Sequence, residues 1–268
     1  MSRISETFAR LAKDNKKALV PFVTCGDPRP ETTLHILHEL VAQGADIIEL
    51  GVPFSDPMAD GPAIQLANER ALAHETGLPE VFEIVRQFRQ QNTDTPIVLM
   101  GYMNPIEYMG YGAFAEKAKA VGVDGLITVD LPPEECDEFI PVLKANSIDP
   151  IFLLTPTTSD DRAKRILSHC SGYVYYVSLK GVTGSNQLNV DDVASQVQRL
   201  KAYTDLPITV GFGIKNAETA TAVSKVAEGV VVGSALVNQV AALADETDEV
   251  IAKEVAAIIS TMRQAMDA

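Results

Sequence analysis

Residues 206–234, LPITVGFGIKNAETATAVSKVAEGVVVGS, form one strand, turn, helix and strand in succession. The first apolar run, 207–211, begins with a proline, whose missing N–H costs least at a strand start. A glycine-rich turn follows, then an amphipathic stretch of helical period over 217–226 and a second apolar run over 229–233. Both runs are apolar on both faces, which is typical of parallel strands buried under helices.

Similar units recur on the N-terminal side of this stretch. Apolar runs of strand length occur about eight times along the chain, at residues 19–24, 46–51, 96–101, 124–129, 150–154, 172–177, 207–211 and 229–233. Amphipathic helical stretches lie between them, among them residues 31–43, 113–121, 191–203 and 217–226. Eight such units predict the α/β class and a closed (β/α)8 TIM barrel, with an extra N-terminal helix before the first strand.

The alternative to a barrel is an open, doubly wound sheet. Such a sheet would place a GxGxxG fingerprint after its first strand, whereas residues 25–28 read CGDP, which is a turn. A chain of 268 residues could hold two small domains, but no Gly/Ser-rich or Pro-rich linker interrupts it. We therefore expect one TIM-barrel domain over residues 1–268.

The charge of the chain limits its partners. A formal net charge of -14 argues against a surface for nucleic acids or anionic membranes, both of which require clustered Lys and Arg. A phosphate ligand would bind against this overall field, so local backbone N–H groups would have to hold it.

Cysteine usage and the N-terminus indicate a soluble cytoplasmic protein. The three cysteines form no CxxC pair and are expected to be reduced thiols: Cys25, Cys136 and Cys170. Residues 1–17 alternate charged and apolar side chains and lack the apolar core of a signal peptide. His35 and His38 lie one helical turn apart without a third ligand, so we interpret them as a solvated helix face and expect no metal site.

Glycines follow three neighbouring predicted strands. They lie in residues 178–185 (SLKGVTGS), 211–216 (GFGIKN) and 233–235 (GSA), and a helix is expected to start near Ser234. Any one of these glycines is explained as a turn residue. Together at the carboxyl ends of adjacent barrel strands, with a helix N-terminus beside them, they predict a phosphate site.

Two carboxylates stand out in residues 46–62, DIIELGVPFSDPMADGP. Glu49 lies within a continuous apolar strand, where burial should raise its pKa and suit it to proton transfer, although a structural ion pair is the alternative. Asp60 precedes Gly61 and Pro62, a pattern that fits a helix N-cap as well as a functional carboxylate. The residues alone leave the role of Asp60 open.

These segments resemble one known family, the alpha subunits of tryptophan synthase. The resemblance runs from about residue 8 to the last helix and is carried by residues 21–24 (PFVT), 49–57 (ELGVPFSDP), 60–62 (DGP), 181–184 (GVTG) and 211–214 (GFGI). Glycine-rich phosphate loops are common to many barrels, whereas the segment from Glu49 to Pro62 is highly specific.

The resemblance implies retro-aldol cleavage of indole-3-glycerol phosphate, with Glu49 as acid and base and Asp60 holding the indole N–H. It implies that the substrate is surrounded by Phe22, Met100, Tyr102, Ile127, Val129, Tyr175, Thr183 and Phe212. The phosphate would be bound by Gly184, Gly213, Gly233 and Ser234. No metal or organic cofactor is expected in this chain.

The resemblance also implies a partner. Members of the family act with a beta subunit that carries pyridoxal phosphate, in an alpha2-beta2 heterotetramer, and the docking surface would lie around Asp56, residues 104–108 and residues 130–132. Three alternatives remain open: a free-standing indole-releasing lyase, a non-catalytic phosphate-binding activator of a beta subunit, and a sugar-phosphate isomerase or epimerase. The last should show a metal cluster or different carboxylate positions.

Overall fold

A computed structural model describes residues 2–178, 189–211 and 213–268. In these ranges the strands, all paired in parallel, are β1 (Ala18–Thr24), β2 (Ile48–Gly51), β3 (Ile97–Gly101), β4 (Gly125–Thr128), β5 (Asp149–Ile151), β6 (Leu153–Leu154), β7 (Val174–Val177), β8 (Ile208–Gly211) and β9 (Gly229–Val232). The helices are α1 (Arg3–Lys13), α2 (Pro30–Ala42), α3 (Pro62–Leu72), α4 (Leu78–Arg89), α5 (Met103–Met109), α6 (Tyr111–Val121), α7 (Cys136–Ala145), α8 (Asp160–His169), α9 (Val190–Lys201), α10 (Ala217–Ser224), α11 (Ser234–Ala242) and α12 (Asp248–Asp267).

The strands form a closed ring. Their order in the sheet is β5-β4-β3-β2-β1-β9-β8-β7-β6, and β5 and β6 are consecutive in the chain, separated only by Phe152. The first half of this divided strand pairs with β4 and the second half with β7. The predicted (β/α)8 barrel is therefore confirmed, with its fifth strand split into two short halves.

Two apolar clusters lie on opposite sides of the barrel wall. In β2, Ile48 and Leu50 pack outward against the helices, so the alternation of side chains along the strand turns Glu49 inward. The outer cluster joins the strands to the surrounding helices. The inner cluster fills the barrel and includes Ala18, Val20, Ile47, Val98, Ile127, Ile151, Tyr173 and Val231.

The predicted N-terminal helix is present and packs beneath the barrel. Ser2 caps α1 by accepting a hydrogen bond from the Ser5 N–H at 3.3 Å. Ile4, Phe8 and Leu11 on one face of α1 belong to the inner cluster. Gly125 makes room for them, because a Cβ at that position would lie 3.0 Å from the Ile4 Cδ1. The helix thus closes the end of the barrel at which the strands begin.

Strands β2 and β4 begin at Ile48 and Gly125, slightly later than predicted, and an aspartate lies shortly before each of them. Asp124 accepts a hydrogen bond from the Ile97 N–H at 2.8 Å, and Asp46 accepts one from the Leu19 N–H at 3.0 Å. Asp124 also binds Arg3 and Arg89, each at 2.7 Å. Asp46 and Asp124 thus bind β1 and β3 through their carboxylates, while their own backbone N–H groups donate to the Leu19 and Ile97 carbonyls.

The two histidines of α2 and the lengths of the helices bear on metal binding and membrane insertion. His35 is exposed as predicted, but the prediction of a solvated face is wrong for His38, whose ring stacks on Phe88 at a centroid distance of 5.0 Å. Within the described ranges, no group of three His, Cys, Asp or Glu side chains is arranged to hold a metal ion. None of the helices described is both long enough and apolar enough to cross a bilayer.

Candidate active site

A small cavity opens at the carboxyl ends of β1 to β4. Five residues predicted from the sequence line it together: Phe22, Asp60, Met100, Tyr102 and Val129. The remaining lining residues are Gly51, Val52, Ile64, Asn68 and Gly101. Strand ends and the first turns of α3 therefore bring separate parts of the chain to one apolar pocket with a carboxylate at its edge.

Glu49 lies inside the barrel wall between two neighbouring strands. It pairs in register with Phe22 of β1 and Val98 of β3, and its side chain is fully buried. The Tyr173 hydroxyl donates a hydrogen bond to the Glu49 Oε1 at 2.6 Å. The other carboxyl oxygen, Oε2, is buried and has no hydrogen-bond partner among the residues that the structure describes. Within residues 2–178, 189–211 and 213–268, Glu49 forms no ion pair, so the alternative of a structural ion pair is not supported there.

Burial sets the protonation of this carboxyl. Removal from water raises the pKa of Glu49 to about 8, and the hydrogen bond from Tyr173 opposes the rise. Near neutral pH the group is mostly a neutral acid with one free oxygen. It can donate a proton and take one back within a narrow pH range, as a general acid and base requires.

Asp60 does not cap the following helix. The N-cap of α3 is Gly61, and no side chain accepts a capping hydrogen bond there. The Asp60 Oδ2 instead accepts a hydrogen bond from the Tyr102 hydroxyl at 3.1 Å, and the Tyr102 oxygen accepts one from the Ala59 N–H at 3.0 Å. Burial raises the pKa of Asp60, while hydrogen bonds from Tyr102 and Asn68 lower it. Its carboxyl faces the cavity and not the helix end.

The predicted phosphate residues lie at the ends of β8 and β9. Gly213 follows β8 with a φ of +84°, a conformation that favours glycine. Gly233 is the N-cap of α11 and Ser234, which is exposed, is its first residue. The first N–H groups of a helix have no partner within it, and the helix dipole adds positive potential there. The end of α11 can therefore bind an anion.

Other predicted substrate residues lie deeper or outside the described ranges. Ile127 is fully buried in the inner cluster and does not line the cavity. Tyr175 is half-buried and lies over Gly211, where a Cβ would come within 2.0 Å of its hydroxyl. The remaining predictions fall on residues that the structure does not describe, which are Thr183, Gly184 and Phe212.

Sequence reasoning missed two residues of the site. Tyr173 was not predicted, although it precedes Tyr175 by two positions and therefore shares its inward face. Asn68 is buried, with 4% of its side chain exposed, and lines the cavity beside Asp60. The sequence could have indicated Asn68, because it is a polar residue on the buried face of α3, next to Ala67.

The chain is similar to known proteins along its whole length. The family model described as "Tryptophan synthase alpha chain" matches residues 8–267. The tryptophan synthase alpha chain of Cupriavidus pinatubonensis is 56% identical over 268 residues and that of Thioalkalivibrio sulfidiphilus 55% identical over 267, each alignment covering 100% of both chains.

A solved structure agrees in fold. The crystal structure of tryptophan synthase subunit alpha from Legionella pneumophila superimposes with a TM-score of 0.92 at 46% identity, covering 100% of this chain and 99% of that one. The resemblance identified from the sequence motifs is thereby confirmed. The chain belongs to the tryptophan synthase alpha chain family, the lyases that cleave indole-3-glycerol phosphate to indole and glyceraldehyde 3-phosphate.

Proposed function

We propose that Glu49 and Asp60 carry out this cleavage together. The observation that supports the assignment most directly is the complete burial of Glu49, with one oxygen bound by Tyr173 and the other free. A retro-aldol reaction of this substrate needs a proton at indole C3 and the loss of a proton from the glycerol hydroxyl beside the bond that breaks. One carboxyl can do both in turn.

The proton balance suits a carboxyl that begins neutral. Protonated Glu49 delivers its proton to indole C3, which leaves a positive charge on the ring nitrogen. The carboxylate then accepts the proton of the glycerol hydroxyl as the carbonyl forms and the carbon–carbon bond breaks. The electrons of that bond return to the ring and restore neutral indole. Glu49 ends protonated, as it began.

Asp60 acts on the ring nitrogen. Its carboxylate accepts the indole N–H and stabilises the positive charge that develops there after protonation of C3. Tyr102, which donates to Asp60, keeps one oxygen of the carboxyl in place at the edge of the cavity. The apolar side chains Phe22, Met100 and Val129 cover the indole ring.

The phosphate lies at the other end of the substrate. Backbone N–H groups at Gly213, Gly233 and Ser234 hold it, as a strongly acidic chain requires, and Gly184 contributes from the preceding loop. With the phosphate fixed by the ends of β8 and β9, the indole extends toward the cavity between β1 and β4. No cofactor of this chain takes part.

We further infer that the chain acts with a beta subunit in an alpha2-beta2 heterotetramer in the cytoplasm. The partner supplies pyridoxal phosphate and consumes the indole. Exposed residues on the loop after β2 and on α5 support this docking face: Tyr108 is 96% exposed and Met58 78%, and Asp56 and Asn104 are also exposed. A partner that covered these two side chains would remove apolar surface from water, which favours binding.

The experiment is an indole-release assay with indole-3-glycerol phosphate. The purified chain should release indole slowly, and faster with a beta subunit. Glu49→Gln should abolish release, and Asp60→Asn should lower kcat by at least about a hundredfold, as the loss of an electrostatic contact to the transition state does. Full activity of Glu49→Gln would refute the acid and base assignment.

The same assay separates the alternatives. A non-catalytic activator would release no indole alone yet would still stimulate the beta subunit. A free-standing lyase would be equally fast with and without the partner. Weaker binding of glycerol phosphate to Gly213→Val would support the phosphate site, and unchanged binding would remove it.

A further inference from the structure

Asn68 lies next to the proposed indole carboxylate but has no role in the reaction described so far. It stands in the middle of α3, and its side chain is only 4% exposed. Asn68 lines the same cavity as Asp60 and Tyr102. A buried amide at an apolar cavity is costly unless its polar atoms are used.

Helix α3 is fixed to the barrel close to Asn68. The Arg70 guanidinium forms a bidentate ion pair with Asp27, with N–O distances of 2.6 Å and 2.9 Å. Asp27 is 3% exposed, which makes this a buried, directional contact to the loop after β1. Ala67 packs against Phe22 on the same side. Asn68 lies between these anchors, so its amide has little freedom to move away from the cavity.

The two described groups that stabilise the charge of Asp60 are both neutral. They are the Tyr102 hydroxyl and the Asn68 side chain, and their hydrogen bonds lower the pKa that burial raises. Tyr102 comes from the end of β3 and Asn68 from α3. A cation in their place would oppose the positive charge that develops on the indole nitrogen, whereas neutral donors orient the carboxylate without doing so.

We propose that Asn68 is a positioning residue, whose amide N–H holds the Asp60 carboxylate in the orientation that accepts the indole N–H. This inference rests on the role proposed for Asp60. Tyr102 binds only one oxygen of the carboxyl, and a single hydrogen bond does not define the plane of the group. A second donor from another element of the fold defines its plane. The free oxygen lone pairs then point to the ring nitrogen.

The test compares four variants of the protein in the indole-release assay across pH: Asn68→Leu, Asn68→Asp, Glu69→Gln and Asp60→Asn. Asn68→Leu keeps the branching of the side chain and removes the donor. It should lower kcat about tenfold with a smaller change in KM, the size expected for one hydrogen bond to a charged group. The acid limb of the pH profile should move to higher pH, because Asp60 loses a group that favours its ionised form. Glu69→Gln, an exposed neighbour on the same helix, should change neither.

A second variant covers the case in which Asn68→Leu does not fold. Asn68→Asp has nearly the same shape but replaces the donor with a second carboxyl beside Asp60. Two adjacent carboxyls resist ionising together, so the acid limb should move further upward. The other groups that act on this carboxyl are unchanged in all these Asn68 and Glu69 variants: Tyr102, just after β3, and Asp130, whose charge raises the pKa of Tyr102.

The outcomes are distinct. Wild-type kcat and an unshifted acid limb in Asn68→Leu, or an unshifted limb in Asn68→Asp, would overturn the inference. Wild-type activity of Asp60→Asn would instead refute the proposed role of Asp60 itself. Loss of kcat in both Asp60→Asn and Asn68→Leu, with an upward shift of the limb in the latter, supports the positioning role.

Discussion

Replacing Glu49 by Gln should stabilise the fold, increasingly so as the pH rises. The substitution keeps the shape of the side chain and leaves an oxygen for Tyr173, but it removes the group that ionises. In the folded protein the pKa of Glu49 is raised to about 8 from a usual value of 4.5. Between these two values the native state holds a proton that the unfolded chain has released, so a rise in pH favours unfolding of the wild type.

The size of the effect follows from the two pKa values. For each pH unit in this interval, the free energy of unfolding of the wild type falls by about 1.4 kcal/mol relative to that of Glu49→Gln. Integrated from low pH, the free energy of unfolding of Glu49→Gln exceeds that of the wild type by about 1 kcal/mol near pH 5 and about 3 kcal/mol near pH 7. The carboxyl is fully buried, so solvent does not screen this difference. The two proteins should have the same stability below about pH 4, where both folded and unfolded chains keep the proton.

Thermal unfolding at a series of pH values measures this directly. For a chain of this size the widening of the gap from pH 5 to pH 7 corresponds to roughly 5 to 10 °C in Tm. Thr209→Val, another substitution of a fully buried polar side chain on a barrel strand, should follow the wild type in parallel at every pH. A gap between Glu49→Gln and the wild type that does not change with pH would refute the argument.

Three further substitutions test other contacts. Gly211→Ala should abolish indole release, because its Cβ would lie 2.0 Å from the Tyr175 hydroxyl and force that ring to move; wild-type kcat would contradict this. Tyr173→Phe removes the bond that lowers the pKa of the buried acid, so the alkaline limb of kcat should move to higher pH, and an unmoved limb would refute the link. Asp124→Ala leaves the buried Arg89 without its carboxylate and should lower the free energy of unfolding by about 3 kcal/mol in denaturant titrations, whereas a loss below about 1 kcal/mol would show that the pair is dispensable.

Local chemistry made much of the barrel predictable. In residues 206–234, β8 and β9 lie within the predicted runs, and α10 and α11 begin at Ala217 and near Ser234 as expected. Asn216 explains the first of these helix starts, since its side chain accepts a hydrogen bond from the Thr219 N–H at 3.0 Å. Signals of this kind depend on neighbours along the chain and can be read from the sequence.

What the sequence did not predict depends on distant contacts. The division of the fifth strand at Phe152 reflects which neighbour each half pairs with, and no residue in 150–154 signals it. Tyr173 contacts Glu49 across 124 residues of chain. The two interpretations of Asp60, cap or functional carboxylate, had equal local support. The cap is ruled out because Gly61 is the N-cap of α3 and Asp60 accepts a hydrogen bond from Tyr102; the functional role stays a prediction.

The N-terminal helix affects the chemistry at the opposite end of the barrel. Phe8 packs against Tyr173 with a centroid distance of 5.9 Å, and Tyr173 in turn binds Glu49. Helix α1 thus covers the part of the barrel interior in which Tyr173 is buried against the acid. Trimming these residues, or displacing them with a fused tag, would therefore retune the acidity of a group that they never touch. The packing of α1 is therefore part of the environment that sets the pKa of Glu49.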